Sequence, residues 1–292
     1  RQQILGVGAV KTADDLGPQG EVPSHPELLA GLAVQLTADG RDDKTSLTRS
    51  VMTPTHRQTS HVDPELYQQD PENRLLARGP RFRLSAEMLR DQALSVSGLL
   101  VEKIGGPGVK PPQPDGLWFA VGYSGSNTVR FKQDSGKDKV HRRTVYTFVK
   151  RTAPPPQMST FDAPSRETCS VRRERTNTPL QALLLMNDPQ YVECARALAE
   201  RALSEAGKSV EARAARIFQL CTGREPVSAE LAVLVKTYEQ HLATYQADPE
   251  AAKQLAAIGS AELNKKVPTD ELAAWTMIGN LVLNLDEVIT KN

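Results

Sequence analysis

At 292 residues, with 39% hydrophobic and 24% charged residues, the chain can bury a sizeable core and has the balance of a folded rather than a disordered protein. A formal net charge of +1 excludes a whole-molecule field that would recruit nucleic acid or a membrane surface. The three cysteines, Cys169, Cys194 and Cys221, form no CxxC and no CxxCH, so zinc ribbons, covalent haem and a disulfide framework find no support and no cofactor or metal is expected.

The opening twenty residues are glycine-rich and poorly periodic. Ser24 then reads as the N-cap of a helix, with Glu27 completing a capping box and Leu28, Leu29, Leu32, Ala33 and Leu36 at helical spacing before Gly40. A shorter helix is expected over Lys44–Met52, stopped by Pro54. Asp63-Pro64 and Asp70-Pro71 each read as an N-cap followed by a first helical residue, which predicts two short helical turns. The strongest long helix is expected from Ala86 to Ile104, capped by Ser85, with Leu89, Ala93, Val96, Leu100 and Ile104 on one face. A glycine- and proline-rich loop follows through Pro114. Leu117–Tyr123 and Thr144–Lys150 are rich in aromatic and β-branched residues and are expected to pair as short strands, the second reading equally as a helical turn.

The stretch 150–188 organises the rest. Pro154, Pro155, Pro156 and Pro164 fix φ and remove amide donors, so its first half is read as extended. Thr178, Pro179 and Gln181 then supply N-cap, first helical residue and capping box. Beyond Pro179 helices are expected from Asp188 to Ala206, from Ser209 to Gly223, from Ser228 to Ala247 and from Thr269 to Leu285. The fold class is therefore mainly α: a helical core with a long proline- and arginine-rich irregular excursion. The parts are 1–110, helical; 111–178, irregular; and 179–292, helical; together they form one compact domain.

The chemistry concentrates in that excursion. Between Arg142 and Arg175 the basic residues far outnumber Asp162, Glu167 and Glu174. Asp162 and Glu167 are the candidate catalytic carboxylates, since glycoside hydrolysis uses two such groups across one cleft. Surrounding arginines would depress their pKa values, which suits a nucleophile or base and argues against an acid. Arg151, Arg166, Arg172, Arg173, Arg175 and Asn177 are the candidate anion- or substrate-binding residues, because guanidinium forks match sulfate and carboxylate groups. The competing reading is a structural network in which Asp162, Glu167 and Asp188 saturate these arginines. Glu87 and Asp91, one turn apart beside Arg81, Arg83 and Arg90, read as an ordinary charged helix surface. His56 and His61 read as polar surface residues, and the cysteines as buried, inert thiols.

Three segments carry a resemblance: NRLLARGPRFRLSAEMLRDQAL, KRTAPPPQMSTFDAPSRETCSVRRERTNTPLQALLLMNDPQYVECARALAER and the closing LNLDEVITK. They resemble a bacterial domain of unknown function found C-terminal in planctomycete cytochrome-c-associated proteins, the PSD-one type. Its recurring residues fall here on Arg81, Arg83, Glu87, Arg90, Asp91, Lys150, Arg151, Asp162, Arg166, Glu167, Arg172, Arg173, Arg175, Asn177, Gln181, Asn187 and Asp188. Arg41 and Val149 stand where tryptophan is usual, and His56 where tyrosine is. The resemblance implies a periplasmic or extracellular setting, with upstream helical and haem domains in the same polypeptide as partners. It also implies association with the breakdown of complex, often sulfated, polysaccharides. The functional expectation is a glycan-acting hydrolase using the paired carboxylates. The alternatives are a non-catalytic module for an anionic polysaccharide and a structural docking domain. No nucleic acid and no membrane insertion are expected.

Overall fold

The computed structural model of the chain describes residues 2–6, 8–15, 17–122, 125, 129–264 and 266–291. The fold is mainly α. Its contacts separate into two compact units: Arg1–Arg83 with Cys169–Arg173 and Thr290–Asn292, and Leu84–Thr168 with Glu174–Ile289. These units cut the chain at other points than the three stretches read from composition.

The first unit holds α1 (Gln2–Leu5), α2 (Pro26–Ala38), α3 (Asp43–Met52), α4 (Pro64–Gln69) and an antiparallel pair of strands. In that pair β1 (Phe82–Arg83) sets Phe82 opposite Lys291 and Arg83 opposite Thr290 of β2 (Thr290–Lys291). The helix expected to be capped by Ser24 starts one residue later, with His25 at the cap and Pro26 first, because proline has no amide to leave unpaired there. None of the residues of α2, α3 or α4 is buried, so the leucine periodicity of α2 marks a helix without marking a core. Asp63-Pro64 opens α4, but Asp70-Pro71 does not open a helix. The Asp70 carboxylate instead accepts from the amides of Arg74 and Leu75, both at 2.8 Å, and Arg78 Nη2 donates to the carbonyls of Asp70 and Pro71 at 2.9 Å. Those bonds close a polar turn.

In the second unit, α5 (Ala86–Val96) is followed by three short helices, α6 (Leu117–Val121), α7 (Lys137–Val140) and α8 (Pro156–Thr160). Then come α9 (Pro179–Asn187), α10 (Pro189–Glu205), α11 (Val210–Thr222), α12 (Ser228–Ala247), α13 (Pro249–Ala256), α14 (Thr269–Leu283) and α15 (Asp286–Ile289). One hydrophobic core joins Leu89, Ala93 and Leu94 of α5 to Leu198 of α10, Ile217 and Phe218 of α11, Tyr238 of α12, and Trp275, Ile278 and Val282 of α14. Helix α14 is apolar on nearly all sides, as a central helix must be. Its Gly279 lets α10 come close: a Cβ there would sit 2.7 Å from the Ala195 carbonyl oxygen.

Three expectations are corrected. Helix α5 stops at Val96 rather than Ile104, because Gly98 turns left-handed (φ 77°) and the amides of Leu99 and Leu100 both fold back to the Leu94 carbonyl; Ile104 is 86% exposed. Leu117–Val121 is helix, not strand (Tyr123 lies outside the described residues), while Thr144–Tyr146 is a single 3-10 turn, the helical alternative read for that stretch. The strand pair lies at 82–83 and 290–291 instead. Finally, α13 has no counterpart in the sequence reading, although Asp248-Pro249 repeats the signal that opens α10; the Asp248 carboxylate accepts from the Ala251 amide at 3.0 Å.

Candidate functional site

The site is built outward from α5. Ser85 caps this helix through the Met88 amide, which sets the faces on which Glu87, Arg90 and Asp91 project. Arg90 is 1% exposed. Its Nε donates to Gln190 Oε1 at 2.6 Å, its Nη1 to the Arg142 carbonyl at 2.8 Å and Thr144 Oγ1 at 3.0 Å, and its Nη2 to the Val140 carbonyl at 2.8 Å. One buried guanidinium thus fixes the backbone from 140 to 144. Asp91 completes the hold: its Oδ1 accepts from the Thr144 amide at 2.7 Å and hydroxyl at 2.6 Å, while Arg143 Nε stands 3.5 Å from Oδ2.

Glu87 reaches the other limb of the excursion, with Arg166 Nη2 3.7 Å from its Oε1. The cluster expected to be a solvated helix surface is therefore the anchor of the excursion, because both carboxylates and the arginine meet partners far away in sequence. Arg142 extends the frame. Buried beside the Tyr146 ring at 3.7 Å, it donates to the carbonyls of Lys103 (3.0 Å), Gly105 (2.6 Å) and Pro107 (3.2 Å). An irregular loop has no ladder for its carbonyls, and two buried arginines supply the donors.

The carboxylates proposed for catalysis are placed differently from each other. Asp162 follows α8 with a left-handed backbone (φ 57°) and accepts from the Thr176 amide at 2.7 Å through Oδ2. The Thr176 hydroxyl lies 3.0 Å from both carboxylate oxygens. Gln181, 3% exposed, donates to the Thr160 carbonyl at 2.9 Å and Thr176 Oγ1 at 3.0 Å, and accepts from the Thr178 amide at 3.3 Å. The chain thus leaves near 162 and returns near 176 through one polar staple. Glu167 is exposed, and its amide meets Ser165 Oγ at 3.4 Å.

Arg151, Arg166, Arg175 and Asn177 of the second unit are exposed, as are Arg172 and Arg173 of the first. Arg166 also takes a left-handed backbone (φ 63°), an uncommon conformation for a long side chain. A cavity of about 30 Å³ lies beside it, walled in part by Glu87, Thr144, Thr147, Met158 and Ser159. Asp188 caps α10 through the Gln190 amide at 2.9 Å, and burial pushes its carboxyl pKa up.

A second polar centre gave no signal in the sequence. Glu193, fully buried on α10, accepts from the amides of Ser260 and Ala261, both at 2.6 Å, and His141 Nε2 lies 3.2 Å from the same oxygen. Gly259, at φ 101°, is the only residue type that fits beside it, since a Cβ would stand 2.5 Å from Glu193 Cγ and Cδ. Arg196, one turn along, donates to the Ala261 carbonyl at 2.9 Å. A glutamate and a histidine far apart in sequence carry no local sign of pairing, and only the fold buries both together.

The cysteines are free. Cys194 and Cys221 are buried, with thiol pKa values pushed up to about 12 by burial, whereas Cys169 is exposed, contrary to the reading of all three as buried. His56 is half-buried rather than a surface residue, and its buried Nδ1 has no hydrogen-bond partner among the described residues; His61 and Asp63 are exposed, 4.0 Å apart. Among the described residues no three His, Cys, Asp or Glu side chains gather where a metal ion would be held. None of the described helices is long and apolar enough to cross a membrane.

These features define a mainly helical domain whose irregular excursion is held by buried arginines and carboxylate staples. The chain belongs to the PSD1 family, proteins of unknown function (DUF1553), whose profile matches residues 2–238. No curated protein and no solved structure matches it.

Proposed function

We propose that this domain holds an acidic polysaccharide without cleaving it, in an extracytoplasmic setting beside the helical and haem domains of its parent polypeptide. The observation that carries the reading is the occupation of Asp162. Both of its oxygens receive Thr176, so the carboxylate closes a loop instead of facing a substrate. The space beside Arg166 supports the same view, because about 30 Å³ admits a couple of waters. Pockets that enclose a ligand run to roughly 300 Å³ and more. Arg151, Arg166 and Arg175 are exposed and carry forks that match sulfates and carboxylates.

Hydrolysis by Asp162 and Glu167 is the rival, and one experiment separates the two. The wild-type chain and the Asp162→Asn and Glu167→Gln variants are incubated with sulfated and uronate-containing polysaccharides, and both binding and new reducing ends are measured. The holding function predicts salt-sensitive binding, no reducing ends, and weaker binding in Arg151→Ala or Arg175→Ala. Reducing ends that vanish in Glu167→Gln, with the fold intact, would establish the hydrolase instead.

A further inference from the structure

The small cavity beside Arg166 contains an unanswered hydroxyl. Thr147 follows the 3-10 turn at 144–146, and its amide donates to the Thr144 carbonyl at 2.9 Å. The residues on either side of it are tied to Val109: the Val109 amide donates to the Tyr146 carbonyl and the Phe148 amide to the Val109 carbonyl, both at 2.8 Å. Thr147 is thus held in place. It is 7% exposed and lines the cavity, and among the described residues its buried Oγ1 has no hydrogen-bond partner. The other hydroxyls of the lining have theirs. Thr144 Oγ1 accepts from Arg90 and donates to Asp91, Ser159 Oγ meets the Pro155 carbonyl at 3.5 Å, and Ser165 Oγ accepts from the Glu167 amide at 3.4 Å. Around Thr147 the wall is apolar, made by Val149, Pro155, Met158 and Pro164. Pro155 and Met158 are buried, whereas Ser159, Ser165 and Arg166 are exposed, so the cavity has an apolar floor and a polar mouth.

Size, hydrogen bonding and polarity together define what fits. About 30 Å³ admits a couple of waters, or roughly three non-hydrogen atoms in their place. It cannot enclose a whole ligand, but it can enclose one substituent. A buried hydroxyl left unpaired is costly, so the occupant carries an acceptor for the Thr147 proton. Apolar walls favour a group with no further polar atom. An acetyl group meets each requirement, because its carbonyl oxygen accepts one hydrogen bond and its methyl group needs none. A hydroxymethyl group does not: two hydroxyls facing each other make one bond and leave one proton unanswered. Water can satisfy Thr147, but its remaining bonding capacity then faces proline and methionine, so its displacement by an acetyl group is favourable.

We infer that this cavity receives the acetyl substituent of a sugar residue, with Thr147 donating to the acetyl oxygen and Met158 packing on the methyl group. The acetyl group follows from the cavity itself; the sugar as its carrier rests on the holding function proposed above. Titration of the full chain by saturation-transfer NMR with N-acetylglucosamine, 6-O-acetylglucose, N-propanoylglucosamine and glucose tests it. At least one of the two acetylated sugars should bind, with its acetyl methyl the most strongly saturated group, and glucose should not. N-propanoylglucosamine should bind more weakly than its acetyl counterpart, since the extra methylene exceeds the space. Thr147→Val removes the hydroxyl at constant shape and should weaken the acetylated sugar about tenfold. Its melting temperature should be equal or higher, because no bond within the protein is lost, and Thr147→Ser should bind as wild type does. Equal binding of glucose, undiminished binding of the propanoyl sugar, or wild-type affinity in Thr147→Val would overturn the site. A lower melting temperature in Thr147→Val would also overturn it, by showing that the hydroxyl is paired within the protein. Salt-sensitive binding of acidic polysaccharides that neither deacetylation nor Thr147→Val alters would overturn the acetyl site and leave the holding function intact. Acetyl-dependent binding of N-acetylglucosamine, with no acidic polysaccharide bound, would end the holding function and leave the acetyl site standing.

Discussion

Tyr238 stacks on Trp275, with ring centroids 4.0 Å apart and planes 23° from parallel. The pair joins the last residue matched by the family profile to a helix the profile does not reach. Trp275 is fully buried, and α14 around it forms the middle of the core. A chain ended after Tyr238 should therefore fail to fold, which circular dichroism and limited proteolysis would reveal. In the full chain Trp275→Ala should lower stability by about 3–5 kcal/mol, read from urea unfolding. A well-folded truncated chain would show that the core closes without α14.

Arg90 should be the most sensitive of the charged positions that hold the excursion. Arg90→Met leaves the carbonyls of Val140 and Arg142 without their donor, and Arg90→Lys cannot supply the same fork of bonds. Either change should cost about 3–5 kcal/mol. Native-state hydrogen exchange should localise the loosening to 137–147. Equal protection in mutant and wild type would mean that the Asp91 bonds to Thr144 suffice alone.

Glu193 gives a pH dependence with a defined sign. Burial raises its pKa, but the His141 contact and the amides of Ala261 and Ser260 outweigh burial and leave the carboxyl below the ordinary glutamate value. A folded-state pKa below the unfolded one contributes stability that is complete above the unfolded value, about 4.3. That stability is lost as pH falls through the folded value. Glu193→Gln should lower the urea midpoint near neutrality and flatten its fall on acidification. An acid limb of unchanged slope would remove Glu193 from the account.

Asp162 and Thr176 should act as one unit. Asp162→Asn and Thr176→Val should each destabilise by about 1–3 kcal/mol, and the double variant should cost less than their sum because the same bonds are lost. A double-mutant cycle by thermal unfolding measures this. Strict additivity would mean that the Asp162–Thr176 bonds do not form in solution.

The sequence by itself determined most of the longer helices and where many of them begin. Asp188-Pro189, Thr178-Pro179 and Ser209 are local signals, since a cap needs only amides two or three residues away. It also singled out the central excursion, but the proline run read as extended opens a short helix: α8 begins at Pro156, since a proline in the first helical position leaves no amide unpaired. Tertiary structure alone decided what the charges do. Arg90, Asp91 and Glu87 have the spacing of an exposed helix face, and only the arrival of 140–144 and Arg166 turns them into an anchor. Glu193 and His141 give no local sign of pairing, and the leucines of α2 repeat correctly for a buried face yet stay exposed. Helix geometry is encoded within a few residues of chain, whereas burial and the pairing of charges depend on which distant segment comes to lie against them.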